Sequence, residues 1–289
     1  MTDRPSNHVT IVEMAPRDGL QNEKRLIDTE TKIKLVDLLS DCGFERIEVT
    51  SFVSPKWVPQ LSDAAAVMAG IKRKSGIRYA VLTPNMQGLE AAFAAGADEV
   101  AIFASASESF SMRNINCTIA ESIERFRPVA AASRDRGIPL RGYVSCVVEC
   151  PYEGAVPPAN AASVARQLRE LGCYEISLGD TIGRGEPEAV DRMLKAVLAD
   201  LPAAMLAGHF HDTSGRALDN IGVALDRGLR VFDAAAGGLG GCPFAPGAKG
   251  NVDTVAVHHY LALHGFETGL GEEKLAQAAA FARSLRSPA

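Results

Sequence analysis

Long apolar segments are absent from this sequence. No run approaches the ~20 residues that a membrane-spanning helix needs, and the residues up to His8 are polar, with no signal-peptide core. Positive charge is also scarce, because 35 acidic residues outnumber 30 lysines and arginines and give a net charge of −5. A nucleic-acid-binding surface is therefore not expected. We expect a cytosolic protein that acts on neither membranes nor nucleic acids.

Paired cysteine motifs are missing as well. The six cysteines are scattered and none forms a Cys-x-x-Cys pair, which argues against a zinc ribbon and, in a cytosolic chain, against a disulfide framework. Most of them should be small buried side chains. Cys242 differs, because it lies in a glycine-rich run at 237–243 that predicts an exposed loop.

Strand-like and helix-like segments alternate along the whole chain without an intervening linker. Amphipathic stretches such as 29–42, with Asp28 or Thr29 as its cap, separate most of the apolar runs. The predicted strands are 9–14, 46–50, 78–82, 99–103, 140–146, 175–178, 205–211 and 231–235. Eight such units predict a single α/β domain closed as a (β/α)8 TIM barrel.

The barrel should occupy about 9–240 of the 289 residues, followed by the cysteine-bearing glycine loop and C-terminal helices. No Gly-x-Gly-x-x-Gly follows the first predicted strand, which weakens the dinucleotide-binding alternative for an α/β chain. A barrel enzyme places its chemistry where the strands end and the following loops begin. The polar residues at those positions are therefore the candidates for a functional site.

His209 and His211 stand two apart at the end of the seventh predicted strand. Side chains two apart share a face of a strand, so the two imidazoles should point together and Phe210 should point the opposite way. Such a pair can bind one metal ion, with the neighbouring Asp212 orienting a ring. The pattern alone is equally compatible with two histidines that bond only to backbone groups.

Candidate ligands and acid–base groups occur at four further strand ends. They are Arg17, Asp18 and Gln21 after the first strand, Glu48 and Ser51 on the second, Asp180 after the sixth, and Cys242 and Asn251 after the eighth. Each also has a purely structural interpretation. Arg17 and Asp18 could form an ion pair that ties the first strand to its loop, Asp180 could cap the next helix, and Asn251 could hold a turn.

Five segments together strongly resemble the 3-hydroxy-3-methylglutaryl-CoA lyase family. They are RDGLQNE at 17–23, IEVTSFVSPKWVPQ at 47–60, NINC at 114–117, GHFHDT at 208–213 and GGLGGCP at 237–243. The likeness runs from about residue 9 to 275 and is more specific than the Arg-Asp motif alone. It implies a TIM barrel that uses a divalent cation, Mg²⁺ or Mn²⁺, to cleave an acyl-CoA substrate into acetoacetate and acetyl-CoA.

The resemblance also implies a role for each candidate residue. The metal ligands would be Asp18, His209, His211 and Asn251. Arg17 and Cys242 would act in catalysis, and Glu48 and Asp180 would support the site. We also place Arg17, Gln21 and Ser51 in the substrate-binding set.

The chemistry of these residue types agrees with those roles. A carboxylate, two imidazoles and an amide form a mixed oxygen and nitrogen site, which suits Mg²⁺ or Mn²⁺ better than a thiolate-rich zinc site. Coordination would lower the pKa of the substrate C3 hydroxyl, so Asp18 or His209 could remove its proton as the C2–C3 bond breaks. Arg17 would stabilise the enolate oxygen, and Cys242 would protonate the acetyl-CoA carbanion.

The sequence leaves the exact reaction open. Glu149 stands where we expect a glycine before the Cys150–Gly154 turn, so a branched homologue of the usual substrate is an alternative. A related aldolase or Claisen condensing enzyme is another, although such enzymes should lack the glycine-rich cysteine loop. A catalytically silent metal-binding barrel is disfavoured by the full set of candidate residues. The sequence does not decide between a monomer and a homodimer or higher homo-oligomer.

Overall fold

The computed structural model describes residues 7–241 and 250–286. Within them lie the strands β1 (Thr10–Glu13), β2 (Arg46–Ser51), β3 (Arg78–Leu82), β4 (Glu99–Ser105), β5 (Leu140–Ser145), β6 (Glu149–Cys150), β7 (Gly154–Ala155), β8 (Glu175–Asp180), β9 (Leu206–Phe210) and β10 (Val231–Ala234). All but β6 and β7 are parallel and close into a barrel in the order β1-β10-β9-β8-β5-β4-β3-β2. The predicted single-domain (β/α)8 barrel is therefore confirmed.

Helices cover the outside of the barrel and continue beyond β10. They are α1 (Thr29–Ser40), α2 (Ala64–Gly70), α3 (Met86–Ala94), α4 (Glu108–Ile115), α5 (Ile119–Asp135), α6 (Pro158–Leu171), α7 (Pro187–Leu198), α8 (Ala217–Asp226), α9 (Thr254–Leu263) and α10 (Glu272–Ser284). Asp28 caps α1 by accepting a hydrogen bond from the Thr31 amide at 2.8 Å. No helix within the described ranges is long and apolar enough to cross a membrane.

The predicted strands match the observed ones to within two residues at every end. The seventh is the least regular. Its first predicted residue, Met205, belongs to a 3₁₀ turn at Ala203–Met205, because the preceding Pro202 favours a turn and its carbonyl accepts from the Met205 amide at 3.0 Å. At the other end, His211 lies beyond β9 and joins an isolated bridge with Asn251.

The apolar core has two parts. The larger part lies between the sheet and the helices, and a small cluster of Val12, Met14, Ala101 and Tyr143 lies apart from it. Five described cysteines are buried and form no disulfide, as expected: Cys42, Cys117, Cys146, Cys150 and Cys173. Cys242 lies outside the described residues.

Charged side chains fill much of the barrel interior. Arg46 on β2 bonds to Glu175 on β8, and Arg141 on β5 bonds to Asp233 on β10. Because these strand pairs are not neighbours in the sheet, the contacts must cross the inside of the barrel. The four side chains are almost fully buried. Arg46 and Glu175 are the first residues of β2 and β8, so these buried ion pairs begin at the amino-terminal ends of the strands.

Candidate metal centre

Asp18, His209 and His211 converge at the carboxyl end of the barrel. Asp18 lies in a short π-helical turn, Ala15–Gly19, that directly follows β1, and the histidines lie at the end of β9. The two Nε2 atoms are 3.2 Å apart, and Asp18 Oδ2 lies 4.0 Å from His209 Nε2 and 3.8 Å from His211 Nε2. Phe210 points away into the core, as predicted. One ion could contact all three side chains.

Asn251 lies beside the same three residues. Its Nδ2 donates to Asp18 Oδ2 at 2.7 Å and to the Leu239 carbonyl at 3.3 Å, and its backbone bridges His211. A half-turn of the amide exchanges the positions of its oxygen and nitrogen. Asn251 can therefore present its oxygen toward Asp18 when a cation lies between them.

The donor set fits a divalent cation. Two imidazole nitrogens at 3.2 Å from each other need a shared proton or cation between their lone pairs. Together with a carboxylate and an amide oxygen they form a mixed site of the kind that Mg²⁺, Mn²⁺ and related ions occupy. Neither the identity of the ion nor its coordination number follows from these side chains.

Arg17 keeps Asp18 ionised. Burial alone would raise the pKa of Asp18, but the Arg17 guanidinium and the two imidazoles hold that pKa well below its usual range. The closest contact joins Arg17 Nη1 to Asp18 Oδ1 at 2.5 Å. An ionised carboxylate is the form that binds a cation, so the ion pair prepares Asp18 as a ligand.

Glu48 holds Arg17 from the other side. Arg17 Nη2 donates to Glu48 Oε2 at 3.0 Å, and the same oxygen accepts from the Tyr143 hydroxyl at 2.6 Å. Among the described residues, Arg17 Nε and Glu48 Oε1 have no hydrogen-bond partner although both are buried. Arg17 also lines the cavity, so its guanidinium can contact a bound ligand.

Of the three other predicted site residues that are described, two line the cavity above Arg17. Gln21 and Ser51 are among its lining residues, and the buried Ser51 Oγ has no hydrogen-bond partner among the described residues. Asp180 does not line it. Its Oδ2 accepts from the Gly185 amide at 2.8 Å, and its carbonyl accepts from the His211 amide at 3.4 Å.

The alternative interpretation of Asp180 as a helix cap is wrong. The cap residue of α7 is Glu186, and Asp180 instead folds the loop that precedes it. Burial raises the pKa of Asp180 despite several backbone N–H donors. Asp180 thus contacts the site through the backbone of His211.

The cavity has a volume of about 880 Å³ and its floor includes Arg17, Asp18, His209 and His211. This volume lies within the range of pockets that bind a sizeable organic ligand. Apolar side chains form much of the wall, and basic side chains lie among the remaining lining residues. The wall includes Trp57, Leu82, Phe103, Phe110, Ile115 and Phe126, and the basic residues include Lys24, Arg113 and Arg125.

Asp233 contacts the site, although the sequence patterns did not identify it as a candidate residue. Its Oδ2 lies 3.1 Å from His209 Nδ1, whereas the Oδ1 of Asp212, which we expected to orient a ring, accepts from the Ala217 amide. Burial alone would raise the pKa of Asp233, but Arg141 and His209 hold it well below its usual range. A signal existed, because a charged residue in the middle of an apolar barrel strand must face the interior.

Cys242 falls outside the described residues, but both flanks of its segment lie beside the site. Gly241 lines the cavity and its carbonyl accepts from Asn22 Nδ2 at 2.9 Å. On the other side, the Gly250 carbonyl accepts from the Asp212 amide at 2.7 Å. The role of Cys242 as an acid stays a prediction.

Glu149 does not line the described cavity. It lies on β6 of the hairpin after β5, and its Oε1 is 3.6 Å from Arg184 Nη1. Nothing in this contact supports the expectation that its carboxylate shapes the acyl pocket.

This chain is similar to known proteins over most of its length. The HMGL-like family model matches residues 8–282. The cytoplasmic 3-hydroxy-3-methylglutaryl-CoA lyase of Danio rerio is 57% identical over 274 residues, which is 95% of this chain and 82% of the relative. The 3-hydroxy-3-isohexenylglutaryl-CoA/hydroxy-methylglutaryl-CoA lyase of Pseudomonas aeruginosa is 53% identical over 93% of this chain and 90% of the relative.

A solved structure shows the same fold. The HMG-CoA lyase of Brucella melitensis superposes with a TM-score of 0.96 at 67% sequence identity, covering 97% of this chain and 99% of that chain.

Proposed function

The chain belongs to the HMGL-like family, and from this we propose that it is a carbon–carbon lyase that cleaves 3-hydroxy-3-methylglutaryl-CoA into acetoacetate and acetyl-CoA. The observation that carries the proposal is the cluster of Asp18, His209 and His211 beside Arg17 on the floor of one cavity. That cluster combines a cation site with a group that can stabilise negative charge. A retro-Claisen cleavage needs both.

Asp18, His209, His211 and Asn251 would hold a divalent cation, for which Mg²⁺ and Mn²⁺ are our candidates. The cation would supply Lewis-acid polarisation of the substrate hydroxyl and carboxylate. Arg17 fixes the charge of Asp18, and the bridge between His211 and Asn251 fixes the spacing of the other two ligands.

Two side chains could accept the proton of the C3 hydroxyl. Asp18 is the weaker base, because Arg17 and the imidazoles lower its pKa against the effect of burial. We therefore assign the proton transfer to His209 Nε2, which would not bind the cation in that step, so that Asp18, His211 and Asn251 would then hold it.

Arg17 would stabilise the oxygen that gains negative charge. As the C2–C3 bond breaks, its electron pair moves toward the thioester carbonyl and forms an enolate. Arg17 lines the cavity beside the candidate metal ligands, and a cationic donor placed in advance stabilises such an oxyanion. Glu48 and Tyr143 hold the guanidinium in place, and Gln21 and Ser51 would contact the acyl chain.

Cys242 would deliver a proton to C2 of the enolate and release acetyl-CoA. The support is the position of its neighbour, because Gly241 lines the cavity. We propose that the glycine-rich run at 237–241 would let this segment close over a substrate, because glycine adopts backbone conformations that other residues rarely adopt. Closure would exclude water from the carbanion.

We further propose that the protein acts in the cytosol, as the name of its Danio rerio relative states for that protein. Whether it forms a homodimer or a larger homo-oligomer is to be measured by light scattering.

A chelation assay tests the proposed lyase activity. Acetoacetate release should stop after exhaustive chelation and return with Mg²⁺ or Mn²⁺, because oxygen-rich sites bind these ions reversibly. Turnover that survives chelation would remove the cation from the proposal. No acetoacetate release with either ion would remove the lyase function.

A branched homologue is the second candidate substrate. The Pseudomonas aeruginosa relative is named for a 3-isohexenylglutaryl-CoA substrate as well, and the apolar cavity wall could contact a longer branch. The two substrates should be compared by kcat/KM. A higher value for the isohexenyl compound would make it the preferred substrate.

A further inference from the structure

Asp233 touches the candidate metal centre without belonging to it. It is 1% exposed, lies on β10, and its Oδ2 is 3.1 Å from Nδ1 of His209. The other ring nitrogen, Nε2, is the one that faces His211 and Asp18. Asp233 therefore contacts His209 on the side away from the centre.

The neighbours of Asp233 decide which atom carries the hydrogen in this contact. Arg141 Nη2 donates to Oδ1 at 2.8 Å, Arg141 Nη1 donates to Oδ2 at 3.2 Å, and the Ser177 hydroxyl donates to Oδ2 at 2.7 Å. All these groups are donors, so Asp233 acts as a hydrogen-bond acceptor. The hydrogen between Asp233 and His209 must then lie on Nδ1.

A neutral imidazole with its hydrogen on Nδ1 has its lone pair on Nε2. We infer that Asp233 is a positioning residue, which fixes the tautomer and orientation of His209 so that the Nε2 lone pair faces the metal centre. The inference rests on the proposed cation site. It holds whether Nε2 acts as a ligand or as a base, because both roles need that lone pair.

His211 provides an internal contrast. Its Nδ1 is buried but has no hydrogen-bond partner among the described residues. The bridge with Asn251 positions its backbone, and no carboxylate among the described residues bonds to its Nδ1. Loss of Asp233 should therefore act first on the His209 ring, whose Nδ1 it contacts directly.

Glu175 offers a matched control for Asp233. It contacts the same arginine from the opposite side, because Arg141 Nε donates to Glu175 Oε1 at 2.7 Å. Both carboxylates are buried, and both stabilise Arg141. Only Asp233 also contacts His209, so the two variants separate loss of the charge network from loss of the tautomer.

The first test reads the tautomer directly and needs no change at Asp233. The full-length chain labelled with ¹⁵N-histidine is studied by long-range ¹H–¹⁵N correlation, both without metal and with Mg²⁺. His209→Gln identifies the signals. We expect a hydrogen on His209 Nδ1 in both states. A hydrogen on Nε2 in the metal-free chain would overturn the inference.

The second test measures Mn²⁺ affinity by calorimetry. Asp233→Asn should weaken binding by about 10–100-fold, the usual cost of losing a partner behind a metal ligand. Glu175→Gln should stay within about threefold of the parent, although it weakens the same charge network. Equal losses in the two variants, or an unchanged affinity in Asp233→Asn, would contradict the inference.

Failure of the proposed function would look different. A parent chain that binds Mn²⁺ but releases no acetoacetate would contradict the lyase activity and leave the role of Asp233 intact. If Asp233→Asn does not fold, the tautomer of His209 in the parent chain still decides the question.

Discussion

Buried charged side chains occur at both ends of the barrel, and the two groups differ in how completely they are hydrogen-bonded. At the amino-terminal end, Arg46 donates to both oxygens of Glu175, at 2.6 and 3.1 Å, and Arg141 donates to the same carboxylate. Tyr174 links Arg46 to Glu99. Only Arg46 Nε and Glu99 Oε1 lack a partner in this described cluster.

At the carboxyl end, more of the buried polar atoms lack partners. Within the described part of the chain these include Arg17 Nε, Glu48 Oε1, Ser51 Oγ, Asp180 Oδ1 and His211 Nδ1. A buried polar atom without a partner costs roughly 1–3 kcal/mol, so this end gives up stability that a ligand could restore. The amino-terminal end serves the fold, and the carboxyl-terminal end serves the chemistry, as in other TIM barrels.

Cys242 should give the largest effect. Cys242→Ser is expected to lower kcat by about 10²–10⁴, because a positioned acid contributes that much, while the unfolding free energy stays within about 0.5 kcal/mol of the parent. Steady-state kinetics and urea unfolding measure both. The control is Cys42→Ser, a buried thiol after α1, which should lose stability and keep activity. A Cys242→Ser variant with parental turnover would assign the proton to another group.

Substitution of Glu175 should give the next largest effect, and this effect should be on the free energy of unfolding. Glu175→Gln leaves Arg46 and Arg141 without their shared carboxylate, which should cost about 3–5 kcal/mol of unfolding free energy. We expect kcat to change by less than about threefold, since Glu175 lies at the far end of the barrel. A large loss of kcat at unchanged stability would erase the distinction between the two ends.

The same variant makes a prediction about pH. Burial alone would raise the pKa of Glu175, but Arg141 and Arg46 lower it below the ordinary value of 4.5. Its stabilising contribution is therefore full above about pH 4.5 and is lost as the pH falls through the depressed pKa. Urea unfolding from pH 6 to pH 3 should show a steeper loss in the parent than in Glu175→Gln. Parallel curves would show that Glu175 has no depressed pKa.

His211 should show a smaller, ligand-dependent effect. His211→Ala is expected to weaken Mn²⁺ binding by at least the 10–100-fold that losses around a metal typically cost. His258→Ala is the control. His258 lies on α9, its Nδ1 bonds to the Thr268 hydroxyl, and it does not belong to the cluster of Asp18, His209 and His211. Calorimetric titration compares them. Equal Mn²⁺ affinities for parent and His211→Ala would show that His211 is not a ligand.

Substitution of Ser51 should give the smallest effect. It should raise the free energy of unfolding slightly, whereas Glu175→Gln should lower it. Ser51→Ala removes a buried hydroxyl that has no partner within the described ranges, so the unfolding free energy should rise by a few tenths of a kcal/mol or stay the same. If the hydroxyl contacts substrate, KM should increase while kcat changes little. A variant that loses stability and keeps its KM would place Ser51 with the structural residues instead.

The architecture was predictable because its signals are local. Hydrophobic periodicity and turn residues located the eight barrel strands to within two residues at each end, and parallel strands must then present their ends on one face. That rule predicts that Arg17, Asp18, His209 and His211 lie close together. Met205 was misassigned because the turn set by Pro202 overrides the local apolar pattern.

The sequence by itself determined the barrel, the pairing of His209 and His211 on one face, and the family resemblance. These follow from spacing along the chain. The tertiary structure alone decided that Asp233 reaches His209 and that Arg141 and Glu175 lie behind it. The physical reason is that these contacts join strands far apart in sequence. Their geometry is set by the closure and stagger of the barrel, which spacing along one strand does not encode.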